Sequence, residues 1–363
     1  MTERKIKALI LRNEQSNDTR RWEYACEKNK GTLDYTSVYL TRHDWLEKIN
    51  LFLPDIILTK PGAISGVLKN LYDERLTILS RDLGYFCFPT LNEVLIYENK
   101  RYLSYFLKAN GLPHPQTFVF YHKKEALHFL HETRFPLIGK TNIGASGSGI
   151  SILGNIQEAE AYVHAVLAGE GFSRRSGPNL EKGDLFRRGL KYVYHPGKIF
   201  NKLQKYRTVA RDLHKDFVIL QEFIRHDYEW RVVRMGDSFF AHKKVKKGEK
   251  ASGALIKGYE DPPRALLTFV KDITDRFGFF SQAIDIFESD GKYLINEMQC
   301  IFGQSDPWQM LVDNRPGRYV FKNNNWIFEE GDFNTNESYD LRLDTAIKLY
   351  TKINENSVRL QWK

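Results

Sequence analysis

Residues 1–90 alternate short apolar runs with longer amphipathic segments. Runs of branched apolar residues are typical of buried strands, and apolar residues at helical spacing indicate helices. This β-α-β-α-β order predicts a small open parallel sheet with helices on both faces. Such a domain is either purely structural or lines one side of a substrate cleft. The three strand-like runs are 6–11 (IKALIL), 33–40 (LDYTSVYL) and 55–60 (DIILTK).

A glycine-rich stretch, GASGSG at 144–149, separates two further strand-like runs. The preceding Gly139-Lys140-Thr141 suggests a Walker phosphate-binding loop, but that motif needs a glycine where Arg134 stands and a helix after the loop. Here a strand-like run precedes the loop, and alternating apolar residues at 149–153 follow it. The pattern therefore predicts a hairpin, which disfavours both the Walker and the Rossmann architectures.

A glycine-rich hairpin loop has two interpretations. Glycine lets the backbone approach a phosphate closely, and successive N–H groups can form an anion-binding nest. A loop that joins two strands can also close over a site as a lid. The alternative is a flexible hairpin tip that binds nothing.

Two later segments predict more antiparallel structure. Residues 216–244 contain three strand-like runs, of which the last two pair across Gly236-Asp237. Residues 281–299 form a second hairpin, because Asp290-Gly291 is a strong turn signal between two apolar runs.

Three oxygen-bearing side chains converge on one face of this second hairpin. Asp285 and Glu297 lie on opposite arms at about the same height, and Gln299 points to the same face as Glu297 because they are two residues apart. Two carboxylates and an amide oxygen suit Mg²⁺. The alternative is a solvated face with scattered acids. Flanking isoleucines favour a buried hairpin, where unpaired acids would be destabilising.

In this order and spacing, the segments resemble the ATP-grasp superfamily of ATP-dependent ligases. The resemblance runs from about Asn99 to about Gln304, and within the superfamily the chain looks most like the ribosomal-protein glutamate ligase and glutathione synthetase branches. It implies an α/β (α+β) fold with an N-terminal open parallel α/β domain, a lid subdomain and a C-terminal antiparallel sheet. The expected divisions are 1–90, 91–222 (linker helix and lid), 223–310 (metal site) and 311–363 (a C-terminal extension).

The resemblance implies a nucleotide site for ATP. Lys100 in "ENK" and Lys140 in "PLIGK" match lysines that reach the phosphates, and "GASGSG" matches the lid loop. "QEFI" matches the adenine hinge, in which the carbonyl of Glu222 and the N–H of Ile224 would read the base, and Glu229 would lie near the ribose. The full predicted set is Lys100, Lys140, Gly144, Ser146, Gly147, Ser148, Gly149, Gln221, Glu222, Phe223, Ile224 and Glu229.

The resemblance also implies catalytic and metal residues. Arg231 in "EWR" would face the transferring phosphate, and Lys244 in "AHKK" would lie near an acyl phosphate. Asp285, Glu297 and Gln299 match the ligands of Mg²⁺, with Mn²⁺ as a second candidate. Relatives usually carry asparagine where this chain has Gln299. The segment after Gln299 also lacks the short proline-glycine ending of these relatives. The acceptor of this protein therefore cannot be inferred from theirs.

Composition adds limits on class and location. The 363 residues include 54 Lys and Arg against 45 Asp and Glu, a formal net charge of +9 that is compatible with an anionic partner. Three widely spaced cysteines form no metal-ligand or disulfide pattern, which favours the reducing cytoplasm. No apolar run approaches about 18 residues, so no membrane span is expected.

The sequence predicts an ATP- and Mg²⁺-dependent carboxylate–amine ligase that acts through an acyl phosphate. Its substrates would be small-molecule or polymer-precursor carboxylates and amines. The acceptor would be anionic, such as a glycan precursor, nucleotide-sugar or peptide, because of lysines at 243–250 and arginines at 174–188. The alternatives are a phosphotransferase with a hydroxyl acceptor and a non-catalytic ATP-binding protein. A homodimer is a candidate assembly. Nucleic-acid binding through 242–250 rests on charge alone, because such runs are often solvated loops.

Overall fold

The computed structural model describes residues 4–13, 19–62, 64–144, 147–169, 171–174, 196–247, 250–251, 256–304 and 306–361. Within these ranges the chain forms three sheets of four or more strands. Each sheet contributes to its own cluster of buried apolar side chains. The predicted mixed α/β architecture is confirmed.

The first sheet is parallel, as the alternating pattern predicted. Its strand order is β2-β1-β3-β4, and every pairing is parallel. The fourth strand escaped prediction because its two residues form no recognisable run. The strands are β1 (Ile6–Arg12), β2 (Leu33–Tyr39), β3 (Ile56–Leu58) and β4 (Cys87–Phe88). The helices are α1 (Arg20–Lys28), α2 (Trp45–Phe52) and α3 (Gly66–Thr77), with a π-helical turn over Ile78–Asp82.

Two short helices lead from this domain towards the site. Helix α4 (Leu91–Ile96) begins with a capping box, in which Thr90 and Glu93 satisfy each other's backbone N–H groups. Helix α5 (Lys100–Ala109) begins after Asn99, whose side chain accepts the N–H of Tyr102. This cap places Lys100 in the first turn of α5.

The second sheet carries the glycine-rich hairpin. Its order is β5-β10-β6-β7, with every pairing antiparallel. Strands β6 and β7 pair directly across the glycine loop, so the hairpin prediction is confirmed. The elements are β5 (Thr117–Phe120), α6 (Lys123–Glu132), β6 (Leu137–Lys140), β7 (Ile150–Leu153), α7 (Ile156–Leu167), the pair β8 (Phe172–Ser173) and β9 (Leu213–His214), α8 (Pro196–Arg211), and β10 (Val218–Glu222).

The third sheet is the largest. Its main path is β16-β15-β11-β12-β18-β17, with β13 and β14 paired to β12 and β19 paired to β18. The apolar side of α9 (Arg264–Phe277) packs into the cluster beneath it. The strands are β11 (Tyr228–Met235), β12 (Ser238–Lys247), β13 (Lys250–Ala251), β14 (Lys257–Gly258), β15 (Ser281–Ser289), β16 (Lys292–Gln299), β17 (Leu311–Val312), β18 (Arg315–Lys322) and β19 (Asn325–Glu330).

A strand was predicted as far as Lys244, and the basic run 242–250 as a whole was interpreted as a solvated loop rather than a nucleic-acid contact; the loop interpretation is wrong for most of the run. Strand β12 continues to Lys247, and both His242 and Lys244 are buried. Lysines at these positions do not resemble a buried strand in the sequence. They are tolerated because alternate residues of the run face acidic side chains that balance their charge. The arginine-bearing stretch 175–188 lies outside the described residues.

Residues after 310 join the body of the molecule. Strands β17 to β19 extend the large sheet. A 3₁₀ turn (Thr335–Ser338) leads into α10 (Tyr339–Gln361). Tyr339, Leu343 and Ala346 of this helix are buried in the core of the N-terminal domain. The C-terminal helix therefore helps to complete the first domain's core.

We expect Leu343→Ala to destabilise the protein by about 2–5 kcal/mol, because the substitution leaves a cavity in the N-terminal core. Leu51→Ala is the matched control, since Leu51 is 85% exposed in α2 and its truncation should change stability by less than about 0.5 kcal/mol. Urea unfolding of both variants measures the difference. Equal effects would show that α10 contributes little to this core.

Candidate active site

A cleft with about 570 Å³ of empty volume lies between the second and third sheets. The glycine hairpin and β10 form one wall, and β11, β15 and β16 form the other. Apolar side chains surround a few polar groups, as in sites that bind small molecules. The lining residues are Ile138, Lys140, Gly147, Ile150, Ile152, Gln221, Glu222, Phe223, Ile224, His226, Glu229, Phe287 and Asn296.

The start of the glycine loop is fixed from both sides. The N–H of Gly144 donates to Glu98 Oε2 at 3.0 Å, and its carbonyl accepts Lys100 Nζ at 2.8 Å. At the other end, a Cβ on Gly149 would overlap Thr141 Oγ1, so only glycine fits there. Gly147 lines the cleft with Ser148 beside it, whereas Ser146 lies outside the described residues.

Lys140 projects from the end of β6 across the cleft. Its Nζ donates to Asn296 Oδ1 at 3.0 Å, and the side chain is buried. Burial, together with the nearby charge of Lys100, lowers the pKa of Lys140 to about 8. The lysine that resembles a phosphate ligand therefore titrates just above neutral pH.

Asn296 reaches this position because of a β-bulge. Asp285 pairs with Glu297 but Ile286 pairs with Ile295, so Asn296 is the extra residue of β16. A bulge re-aims the side chains beside it and breaks the strict alternation of faces. Asn296 also donates to Glu229 Oε1 at 3.3 Å, which links Glu229 to Lys140.

An ionic network lies beside the cleft and reaches it through Glu229, which lines it. Arg231 donates to both oxygens of Asp285, from Nε to Oδ1 at 2.7 Å and from Nη2 to Oδ2 at 2.9 Å. Lys244 donates to Asp285 Oδ2 at 2.7 Å and to Glu229 Oε2 at 2.6 Å. Arg231, Glu229 and Lys244 come from neighbouring strands, on which Glu229 pairs with Lys244 and Arg231 with Asp285.

The charges of this network stabilise one another. Burial alone would raise the pKa of Asp285, but Arg231 and Lys244 outweigh it and hold that pKa well below its usual value. Burial likewise acts to lower the pKa of Lys244, and the carboxylates of Asp285 and Glu229 overcome it and raise that pKa. Asp285 and Lys244 are therefore both charged at neutral pH.

The segment resembling an adenine hinge lies at the end of β10. Gln221 Nε2 donates to Thr117 Oγ1 at 2.8 Å. The N–H of Glu222 donates to the carbonyl of Gln116, while Glu222 Oε1 accepts the N–H of Gln116 at 2.8 Å. The chain then leaves the sheet at Phe223 and Ile224, which line the cleft. The carboxylate of Glu222 is thus used to hold the hinge in place.

Glu297 and Gln299 lie near Lys100, one of the two lysines predicted to reach phosphates, with a third acid beside them. Lys100 Nζ is 3.9 Å from Glu297 Oε1 and 4.0 Å from Glu98 Oε2. Gln299 Nε2 lies 3.5 Å from Glu98 Oε1. Burial raises the pKa of Glu98, and Lys100 opposes that rise. Unlike Asp285, Glu297 has a side chain that is a quarter exposed.

Sequence reasoning missed three of these residues. Glu98 stands in the quoted "ENK", but its contacts depend on a left-handed backbone with φ of 48°. Asn296 depends on the bulge. His226 lies just after the hinge, where its ring packs against Phe287 at a centroid distance of 4.5 Å. The sequence feature that could have indicated them is the presence of several polar residues directly beside the predicted motifs.

Comparisons with known proteins identify the fold. D-alanine–D-alanine ligase from Bacillus anthracis superimposes with a TM-score of 0.50 and 13% identity, covering 97% of this chain and 99% of that one. The biotin carboxylase domain of 2-oxoglutarate carboxylase from Hydrogenobacter thermophilus gives 0.53 and 13%, covering 85% and 66%. The chain has the ATP-grasp fold. No family model matches the sequence, and no curated protein matches it.

The resemblance to ATP-grasp proteins is thus confirmed at the level of the fold. The Bacillus anthracis ligase has been solved with ATP, and the Hydrogenobacter thermophilus domain with MgADP and bicarbonate. In the described part of this ATP-grasp chain, no helix is both long and apolar enough to span a bilayer.

Lys140 gives the site a testable pH dependence. Below pH 8 its ammonium is charged, and above pH 8 the neutral amine predominates, so affinity for an anionic nucleotide should fall as pH rises. Between pH 7 and 9 we expect the Kd for Mg²⁺–ATP to rise by up to about tenfold. Lys140→Arg stays charged over this range and should flatten the profile. Calorimetric titrations at several pH values measure both, and parallel profiles would exclude Lys140 as the cause.

Proposed function

We propose that this protein is an ATP-dependent carboxylate–amine ligase that uses Mg²⁺ and forms an acyl phosphate. The observation that carries the proposal is the concentration of charge along one side of the cleft. Four cations alternate with four carboxylates there, beneath a glycine-rich hairpin that is held at Gly144. The cations are Lys100, Lys140, Arg231 and Lys244, and the carboxylates are Glu98, Glu229, Asp285 and Glu297.

This arrangement suits phosphoryl transfer to a carboxylate. Negative charge accumulates as the γ-phosphoryl group moves, and Lys140, Arg231 and Lys244 would stabilise it without reorganising. An acyl phosphate hydrolyses readily, so the glycine hairpin would exclude water while a bound amine attacks. The phosphate lysine Lys100, now bonded to the carbonyl of Gly144, would exchange that bond for a phosphate oxygen.

The described residues fit a magnesium ion that is shared with the substrate. They contain no group of three His, Cys, Asp or Glu side chains placed to hold a metal on their own. Mg²⁺ commonly binds one or two carboxylates together with substrate phosphates. Glu297 would supply the more accessible ligand, with Asp285 and Gln299 as the further predicted ligands. The ion would neutralise charge on the phosphates.

The adenine end of the cleft is supported by its lining. Ile138, Ile150, Ile152 and Phe287 form apolar walls on both sides of the hinge. A flat base would stack between these walls, with its edge at the main chain of Glu222 and Ile224. Replacing the Glu222 side chain would remove no contact to the base, but it would remove the bond from the Gln116 N–H that holds the hinge.

The anionic acceptor, the homodimer and the cytoplasmic location stay predictions. Cys26, Cys87 and Cys300 are buried free thiols, which supports a reducing compartment. Arg174, which was expected to help bind the acceptor, is buried and paired with Asp212 at 2.8 Å. It contributes to folding contacts instead, so any basic acceptor surface would have to come from other residues.

The metal assignment predicts a specific loss of turnover. Glu297→Gln should lower ATP turnover by about 10²–10³-fold, because it removes charge that positions Mg²⁺ and the phosphoryl group. Asp290→Asn is the matched control, since Asp290 lies at the exposed tip of the same hairpin with φ of 51° that asparagine tolerates. ADP release, with free phosphate measured separately, gives the readout.

The outcomes separate the functions. Mg²⁺–ATP should raise the melting temperature by mass action, and Lys140→Ala should reduce that rise. ADP together with free phosphate supports a ligase, whereas phosphate retained on the acceptor would indicate a phosphotransferase. Unchanged turnover in Glu297→Gln would contradict the metal assignment. A folded sample with no thermal response to millimolar Mg²⁺–ATP would contradict the whole proposal.

His226 and Glu229 together predict how the ribose is held. His226 Nδ1 lies 2.8 Å from the carbonyl of Ile224 and donates to it, so Nε2 is an acceptor in the tautomer that carries a single proton. Nε2 has no hydrogen-bond partner among the described residues and lies 3.8 Å from Glu229 Oε1. Two acceptors that face a cleft side by side suit two neighbouring hydroxyl groups, which both donate.

ATP should therefore bind more tightly than its 2′-deoxy and 3′-deoxy forms. Losing one hydrogen bond corresponds to about 2–10-fold in Kd. His226→Phe keeps the ring packing on Phe287 and should reduce the preference for at least one hydroxyl. His164→Phe, at an exposed position of α7, is the control. Titrations with the three nucleotides measure the effect, and an undiminished preference in His226→Phe would remove His226 from the ribose site.

A further inference from the structure

A pair of charged side chains joins the second sheet to the N-terminal domain. Arg174 follows β8 and Asp212 precedes β9, and these two strands pair through Ser173 and Leu213. This short ribbon places Arg174 Nη2 2.8 Å from Asp212 Oδ2. The two side chains are only 5% and 19% exposed. The attraction between their charges is therefore stronger than it would be for a pair surrounded by water.

Both members of the pair also bind the start of α3 in the N-terminal domain. Arg174 Nη2 donates to the carbonyl of Ile64 at 2.5 Å. Asp212 Oδ1 accepts the N–H of Gly66 at 2.8 Å. Gly66 is the first residue of α3, so the carboxylate satisfies a backbone donor that the helix leaves free and lies at the positive end of the helix dipole. The start of α3 is thus held through one donor and one acceptor.

The same end of α3 touches the base of the glycine loop. A Cβ on Gly66 would lie 3.8 Å from Ile143 Cδ1. Ile143 is buried and directly precedes Gly144, where the glycine loop begins. Packed groups transmit displacements to their neighbours. A shift of α3 relative to the second sheet would therefore act on the loop that covers the cleft.

The apolar cores on the two sides of this contact are separate. The cluster under the second sheet is drawn from residues 118–220. The core of the N-terminal domain instead takes in Cys300 and Ile301 after β16, and Tyr339 of α10. The N-terminal domain is thus built into one body with the large sheet, and the charged pair joins the second sheet to that body. Polar contacts between domains open more readily than large apolar ones.

Other bonds hold the glycine hairpin over the cleft, but they differ from this pair in one respect. Lys100 and Lys140 each donate to a group across the cleft. Under the proposed function, both lysines would exchange these bonds for nucleotide phosphates. The charged pair bonds to α3 and not to the cleft, so its bonds would persist when a nucleotide is bound.

We propose that Arg174 and Asp212 form an interdomain latch that sets the rate of nucleotide exchange. The latch ties the second sheet to α3, and the cleft opens when the bonds of the latch break. Arg174 and Asp212 are positioning residues, because they act through α3 and the glycine loop. This inference rests on the proposed nucleotide site and adds a control to it, on how fast a nucleotide enters and leaves rather than on how tightly it binds.

Spin–spin distance measurements on the full chain without nucleotide test the latch directly. Labels at Leu51→Cys in the N-terminal domain and Lys124→Cys in α6 report the separation of the two bodies. Both positions are exposed, and the three native cysteines are buried. The latched protein should give one narrow distance distribution. Arg174→Met and Asp212→Asn should each add a longer component, because part of the population opens.

Surface plasmon resonance on the immobilised full chain, with Mg²⁺ and the non-hydrolysable analogue AMP-PNP, measures the exchange. Each variant should raise the association and dissociation rate constants by about tenfold or more, because a charge-assisted bond of the latch is lost. The Kd should change by less than about threefold, because the latch is present in both the free and the bound protein. The double variant should exchange no faster than the faster single variant, because both substitutions break one latch.

Two exposed residues of the same segment provide matched controls. Arg211→Met and Asp216→Asn remove the same charges and should keep the wild-type distances and rate constants. Asparagine tolerates the φ of 74° at Asp216. If Arg174→Met does not fold, Asp212→Asn carries the test, because asparagine can still accept the N–H of Gly66.

The two measurements fail in different ways. Wild-type distances in the folded variants would overturn the latch. Altered distances with unchanged rate constants would overturn its control of nucleotide exchange. Failure of the wild-type chain to bind AMP-PNP would overturn the proposed function, whereas the distances would still decide whether the latch exists.

Discussion

The carboxylate of Asp285 is the group on which the rest of the site depends. It is buried together with Arg231 and Lys244, and such burial is tolerable only when every charge is paired and hydrogen-bonded. The partners come from two neighbouring strands, so the network requires β15, β11 and β12 to pair in one register. A slip of any one of these strands by one residue would turn its own charge into the apolar core on the other face and leave its partners unpaired. The same interaction therefore fixes the sheet and places the cations.

The glycine hairpin is tied to this network through the corner before α5. Glu98 and Lys100 bind the N–H and the carbonyl of Gly144, and Lys100 also lies close to Glu297. Opening the hairpin would break both bonds at Gly144 and leave a buried acid and a cation without those partners. The position of the hairpin is therefore linked to Lys100 and Glu98, and under the proposed function a nucleotide phosphate would compete with the loop for Lys100.

Much of the fold could be predicted from the periodicity of the sequence. The elements that could not be predicted were missed for physical reasons. The parallel sheet, the glycine hairpin and the pairing of Asp285 with Glu297 are confirmed, because apolar alternation and turn residues determine them locally. Asn296 was missed because a bulge adds a residue that alternation cannot anticipate. Strand β12 was predicted only as far as Lys244, because the lysines that continue it to Lys247 interrupt the apolar alternation. The roles of the site residues stay predictions, because structural similarity to proteins of 13% sequence identity establishes only the fold.

The N-terminal domain is coupled to the metal hairpin by the chain itself. Strand β16 carries Glu297 and Gln299 into the site and ends there. The next two residues, Cys300 and Ile301, are buried in the core of the N-terminal domain, beside Tyr339 and Leu343 of α10. A packed core resists deformation, so a displacement of that domain must pull on the strand end that bears the predicted magnesium ligands. If the ligase proposal holds, movement of the N-terminal domain and the alignment of Glu297 with the phosphates would be one mechanical event, with residues 299–301 as the connection.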